Sequence, residues 1–206
     1  MTSRRSLIDL LELRHLKHSD IPGRVAAMAD AEVRRNISSL PALYDEGALT
    51  AYFTDVVEGR NPHRIELVLT RPDGETVAYN YLLGVDWANR TCEIGMITLP
   101  SYRFGFGLIA MLKTYEHAFG TLNMRSVLNE VYSGNEMMST GATITDRAQV
   151  VASSAQFTEG QIRDTYFWTE TRAEFPVRFG RYFAQRPAAP SAPETSGCSE
   201  GQDEIK

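Results

Sequence analysis

The stretch SYRFGFGLIAML, residues 101–112, sets Gly105 and Gly107 two positions apart, directly before an apolar helical pattern. Glycine is costly inside a helix and easily accommodated in the loop that feeds one. The pair is therefore expected in an entry loop, with the helix running from about Leu108 to Ala118 and closing at Gly120. The first turn of such a helix carries N–H groups without intrahelical partners at the positive end of its dipole, which suits an anion such as phosphate. A tight strand-to-helix turn would use the same glycines, since a lone G-x-G recurs by accident. Glu93 is the second chemical candidate. A carboxylate on a partly buried strand is pushed by desolvation toward the range of a general base, unless it faces solvent or pairs with Arg90 or Arg71. The histidines His15, His18, His63 and His117 have no H-x-x-x-H or carboxylate spacing of the kind that holds a metal, and no metal is expected.

The elements that must position these groups follow from periodicity and turn chemistry. Leu11 to Leu16 reads as a strand ending in Ser19-Asp20, which can cap a helix with Pro22 in its first turn, running to about Arg35. After the break at SSLP, Glu46 to Glu58 places Leu49, Tyr52, Phe53, Val56 and Val57 at helical spacing. IELVLT, the turn RPDGE and TVAYNYLLGV form a hairpin, and TCEIGMITL is a third strand. Gly95 in the middle of that strand predicts a bulge or the close approach of a ligand. MRSVLNEVYS returns as a strand after the central helix, and one or two more strands are expected between Ser133 and Phe183. The order predicts an α/β (α+β) fold: a mixed, mostly antiparallel central sheet with helices on both faces.

At 206 residues, 43% apolar and 23% charged, the composition is that of one globular domain, here residues 1–186. The remainder, 187–206, carries four acids and one base and is rich in Pro, Ala and Ser, so it is expected to be a disordered acidic tail. With the tail at −3, the body keeps only −2 of the chain's net −5, which gives no general attraction to nucleic acid. No apolar run reaches the roughly 18 residues that a membrane span needs. Asp9 and Glu12 interrupt the leucines of the N-terminus, so no signal peptide is read there. Cys92 and Cys198, in a predicted strand and a predicted tail, support neither a disulfide scaffold nor a thiolate cluster. A reducing cytoplasm is the expectation. Neither the acceptor nor the oligomeric state is legible here, and a homodimer is left open.

The element order, LELRHLKHSDIPG, GVDWANRTCEIGMITLPSYRFGFG and LNEVYSGNE together resemble the GCN5-related N-acetyltransferase (GNAT) superfamily, with more specific similarity to its ribosomal-protein-alanine acetyltransferase branch, over about residues 11–136. In that family the central stretch is a strand, a loop R/Q-x-x-G-x-G/A, and a helix whose N-terminus receives the pyrophosphate of coenzyme A. The resemblance therefore implies an acyl-CoA co-substrate held by Arg103, Phe104, Gly105, Phe106 and Gly107, by the strand residues Met96, Ile97 and Thr98, and by Asn135. The loop departs from the pattern: Tyr102 stands where Arg or Gln is expected, and starting at Arg103 leaves it one residue short. The tyrosine that commonly serves as general acid seven residues after the asparagine is replaced by Ala142, which brings Tyr132 forward as a substitute or as a packing residue.

Amide formation from a thioester requires a base for the amine, a donor for the developing oxyanion, and positioning of both reactants. Glu93 is the expected base, directly or through a water, and a backbone N–H near Met96 to Thr98 the expected donor. Trp87, Tyr79, Tyr81, Phe104 and Phe106 are available to line an acceptor pocket or to fill the core. The expected activity is transfer of an acetyl or other acyl group from acyl-CoA to a primary amine of a small molecule or a peptide N-terminus. Two other readings accompany it: a donor that is aminoacyl-tRNA or a carrier-protein thioester, and a site that only binds a ligand.

Overall fold

The computed structural model describes residues 7–36, 45–135, 148–158 and 161–182. The proposed tail, Cys198 and Ala142 lie outside them. In chain order the elements are α1 (Leu7–Leu10), β1 (Glu12–His15), α2 (Ile21–Met28), α3 (Ala31–Asn36), α4 (Glu46–Val57), β2 (Ile65–Thr70), β3 (Thr76–Asp86), β4 (Thr91–Thr98), α5 (Arg103–Glu116), β5 (Ser126–Tyr132), β6 (Val150–Thr158), β7 (Gln161–Thr171) and α6 (Glu174–Phe179). The strands form one sheet in the order β1-β2-β3-β4-β5-β7-β6. Every pairing is antiparallel except β4 with β5, which α5 connects as a crossover.

The two faces of the sheet carry different helices. Alternation along β3 and β4 sends Leu82, Val85, Cys92 and Ile94 to one face, where they pack with Met111, Leu112, Tyr115 and Phe119 of the crossover region and Phe179 of α6. Tyr79, Tyr81 and Ile97 point to the other, against Ile21, Val25 and Met28 of α2, Val33 of α3, and Leu49 and Phe53 of α4. Two buried asparagines tie α5 to the sheet. Asn80 donates to Ala110 O at 2.9 Å and to Thr114 Oγ1 at 2.5 Å, and Asn129 accepts from the Tyr115 hydroxyl at 2.5 Å. These polar contacts seat the helix in one register over β3, β4 and β5, which generic apolar packing would leave less defined.

Several boundaries depart from the sequence expectation. The helix expected from Pro22 to Arg35 is broken, because Asp30 accepts from the amides of Glu32 and Val33, each at 3.0 Å, and so starts α3 as a new helix. Its upstream counterpart Asp20 makes no side-chain cap to α2; its carboxylate pairs with Arg14 at 2.7 Å and accepts from Lys17 N at 2.8 Å. Asp45 does cap α4, accepting from Gly47 and Ala48. The aromatic alternation after residue 156 yields a strand only as far as Thr171; the segment EFPVRF is α6, its Phe175 and Phe179 rings clustered with Tyr115. β6 and β7, both within the expected one or two strands, form a hairpin on the sheet edge.

Candidate active site

The central strands separate along their length. β4 and β5 pair from Thr91 with Ser126 to Ile94 with Asn129 and no further. Beyond that point Gly95 to Thr98 pair only with β3, and Glu130 to Tyr132 only with β7. A strand directs its peptide groups to both sides, so the stretch Met96, Ile97, Thr98 presents backbone donors and acceptors to the gap. Met96 is turned toward the α5 side of the sheet, whereas Ile97 is buried on the opposite side. Thr98 is buried at the strand end.

Glu93 stands one residue before the split, half-buried, on the face opposite α5. Among the described residues its carboxylate makes no hydrogen bond or ion pair, so the pairings with Arg90 or Arg71 do not occur. Burial, then the negative charge of Glu130, push it up from 4.5 to about 7, against the pull of Arg64. Glu130 and Tyr132 lie on the same face of β5, and Tyr132 is 5% exposed. Burial raises the Glu130 carboxyl, partly offset by a hydrogen bond from the Tyr132 phenol. Burial first, and then Glu130, hold that phenol well above the usual tyrosine range, so it keeps its proton.

Gly95 has a different explanation from the one expected. No bulge occurs there, since the β3–β4 register shifts only between Leu83 and Asp86. A Cβ on Gly95 would fall 2.0 Å from Cε2 of Tyr81, whose ring covers this position. Two guanidinium groups lie over the Tyr81 ring, Arg64 at 4.8 Å and Arg24 at 5.4 Å from its centroid. Both arginines bond the buried Glu66, Arg24 Nε at 2.9 Å and Arg64 Nε at 2.7 Å. This core charge cluster braces the floor next to Glu93.

The glycine pair lies inside the first turn of α5 and not in a loop before it. A 3-10 turn at Pro100–Tyr102 leads straight into the helix, so it starts five residues earlier than expected. Gly105 has φ +91°, a conformation that a side chain would strain, and opens to solvent. Beside Gly107 an added Cβ would meet only Thr98 Oγ1, at 3.5 Å. The first turn holds no acidic residue, as an anion site there requires. Arg103 is engaged elsewhere: its guanidinium bonds Asp30 at 2.7 Å and Glu32 at 2.5 Å, both on the α3 side. Tyr102 is buried with its hydroxyl 3.5 Å from Arg71 Nη1, and its ring meets Phe106 edge-on at 5.1 Å. Phe104 contributes its backbone to the same turn.

Asn135 follows β5 in a turn, its N–H donating to Tyr132 O at 3.2 Å; the helix expected after it falls outside the described residues. His15 and His117 face each other at 5.6 Å, and among the described residues no group of three or more His, Cys, Asp or Glu is placed to hold a metal. Trp87 is exposed, donating to Pro62 O at 3.2 Å, in the wall of a cavity of about 370 Å³ at the far end of β2. Tyr79 and Tyr81 are core residues. Cys92 is buried and pushed up to about 12, which leaves its thiol unreactive. Sequence reasoning passed over Glu130 and weighed Arg71 only as a partner for Glu93. The alternation of LNEVY that puts Glu130 on the face of Tyr132 was legible; its position across from Glu93 depends on the register between β4 and β5.

No helix among the described residues is long and apolar enough to cross a membrane. Residues 11–141 match the acetyltransferase (GNAT) domain family. No curated protein sequence matches closely enough to count as a relative. Among solved structures, a point mutant of the spermidine N-acetyltransferase SpeG from Vibrio cholerae superposes with a TM-score of 0.69 at 14% identity, covering 81% of this chain and 96% of that one. The SpeG spermidine/spermine N-acetyltransferase from Vibrio cholerae in complex with manganese ions gives 0.68 at 13%, covering 84% and 99%. These neighbours share the fold and do not single out the ribosomal-protein-alanine branch. With the family domain spanning both strands of the split, Glu93 and the first turn of α5, the chain belongs to the GNAT acetyltransferase family and is an acyltransferase.

Proposed function

We propose that this protein transfers an acetyl or other acyl group from acyl-CoA to the primary amine of a small molecule or a peptide N-terminus, with Glu93 as general base. The observation that carries the reading is a half-buried carboxylate, in no ion pair among the described residues and poised at about 7, at the closed end of the strand split. An amine nucleophile must shed a proton near neutral pH, and a base of that strength is matched to the task. The donor's diphosphate rests on the amides of the first turn of α5, from Phe104 to Gly107, with Arg71, itself 3.6 Å from both Asp73 and Glu75, as a cation alongside. Its thioester arm lies along Met96, Ile97 and Thr98, whose gap-facing N–H groups receive the developing oxyanion. Tyr132 supplies a proton to the departing sulfur, and Asn135 borders the arm. Small amines are favoured as acceptors because the neighbouring structures are spermidine N-acetyltransferases.

One observation favours a second donor class. Arg103, the basic residue of the loop motif, is bound to Asp30 and Glu32, which weakens the case for a nucleotide phosphate there and leaves aminoacyl-tRNA or a carrier-protein thioester in play. The deciding experiment follows thiol release from acetyl-CoA with a panel of polyamines, amino sugars and short peptides, beside calorimetric titration of the donor. Glu93→Gln should lower kcat at least about 100-fold with donor affinity unchanged. Absence of coenzyme A binding at millimolar concentration, with acyl transfer from charged tRNA or a loaded carrier protein, would replace the first reading by the second. Neither activity, with a ligand still bound, would leave a binding protein.

A further inference from the structure

We propose that Glu130 joins the base and the acid of the site into one proton path, so that the proton taken from the amine by Glu93 passes to Glu130 and leaves through the Tyr132 phenol to the departing sulfur. The inference rests on the reading of Glu93 as base. Its geometric support is the strand register. Glu93 is paired with Leu128, so Glu130, two residues on and on the same face, is its diagonal neighbour across the last paired rung of β4 and β5. The two carboxylates leave the same face of neighbouring strands, near enough for the charge of Glu130 to act on Glu93, and a direct contact or one water would join them. Two further residues along and on the same face stands Tyr132, whose phenol and the Glu130 carboxyl each shift the other's proton affinity. The three groups thus form a line that begins at the closed end of the split and runs along its open edge.

The chemistry of the line is coherent. Burial raises both carboxyls and the charge of Glu130 raises Glu93 further, so the pair holds a proton more readily than isolated glutamates would. Groups facing Glu93 are Tyr81 from β3, Glu130 and Tyr132 from β5, and Arg64 from the entry to β2, beyond which Glu66 and Arg24 face Tyr81. Arg64 is held by Glu66, so it does not neutralise the pair outright. In the transfer a C–N bond forms and the C–S bond breaks, its electrons passing to sulfur. Sulfur takes the Tyr132 proton, Tyr132 is refilled from Glu130, and Glu130 from Glu93, which holds the amine's proton. Both carboxylates and the phenol end as they began, and the second proton of an acceptor that arrives as ammonium goes to solvent.

Glu130→Gln tests this, because the amide still accepts from Tyr132 but cannot carry a proton. Carboxyl carbons of 13C-glutamate-labelled protein are titrated by NMR, with Glu93 assigned through Glu93→Gln, and steady-state rates are measured from pH 5 to 9 with acetyl-CoA and the best amine of the panel. In Glu130→Gln the Glu93 midpoint should fall by about one pH unit. The acid limb of kcat/KM should move with it, and kcat should drop at least about tenfold with the donor KM unchanged. Tyr132→Phe should lower kcat comparably, while Glu93 keeps a raised midpoint; a merely structural role would move neither the limb nor the midpoint. An unchanged Glu93 midpoint in Glu130→Gln, or a kcat within threefold of the parent, overturns the path whatever the activity. A shifted midpoint in a protein that transfers no acyl group from acetyl-CoA or the other donors overturns the transferase reading and the path with it, leaving only the coupling of the two carboxyls.

Discussion

Replacing Glu93 by Gln should make the protein more stable, by an amount that grows as pH rises from 4.5 to about 7 and then holds. The folded state raises this carboxyl from 4.5 to about 7, chiefly by burial and then by Glu130, so the unfolded chain gives up the proton more easily. For an acid raised in this way, stability is fully present below its unfolded value and is lost as pH climbs through the folded one. At about 1.4 kcal/mol per pH unit, the rise corresponds to roughly 3 kcal/mol of strain in the charged form. Since the side chain meets solvent in part, screening brings the working figure to roughly 1–2 kcal/mol. Urea denaturation of parent and Glu93→Gln should therefore give equal stabilities at about pH 4 and a gap of about 1–2 kcal/mol in favour of the variant at about pH 8.5. The expected pattern is that of a group kept for chemistry at a cost in stability. A gap independent of pH, or a variant less stable at pH 8.5, would refute the assignment of Glu93 as a desolvated, cation-poor carboxylate.

Gly95→Ala forces a methyl onto Tyr81 Cε2 at 2.0 Å and should cost about 2–3 kcal/mol by chemical denaturation, whereas the same change in a Tyr81→Leu background should cost under about 0.5 kcal/mol. An additive pair would show that the ring does not set the glycine. Glu66→Gln leaves Arg24 and Arg64 buried beside a neutral partner and should destabilise by about 3–5 kcal/mol, read from the urea midpoint; a loss under 1 kcal/mol would mean that the cluster relaxes into solvent. Gly105→Ala, at φ +91°, should cost about 1 kcal/mol in thermal unfolding, and an unchanged stability would show that the turn relaxes around the side chain.

Local patterns sufficed for most of the architecture. The β-branched runs of IELVLT and TVAYNYLLGV, the turn residues of RPDGE and the spacing of Leu49, Tyr52, Phe53 and Val56 each dictate an element through interactions among near neighbours, and they appear as β2, β3 and α4. Glu93 could be chosen from sequence because a carboxylate within an apolar strand is costly unless used or paired. What sequence spacing could not decide was set by contacts between distant segments. Gly95 reads as an opening until Tyr81, a neighbour only through strand pairing, is seen to fill it. Arg103 reads as a phosphate ligand until α3, some 70 residues earlier, supplies Asp30 and Glu32. Glu130 has no distinguishing mark in LNEVY; it becomes chemically coupled to Glu93 only because α5 returns the chain parallel to β4, pairs Ile94 with Asn129, and lets the strands part there. Periodicity is a property of a few adjacent residues, whereas electrostatic coupling and steric exclusion depend on distances through space, and those exist only once the sheet has assembled its register.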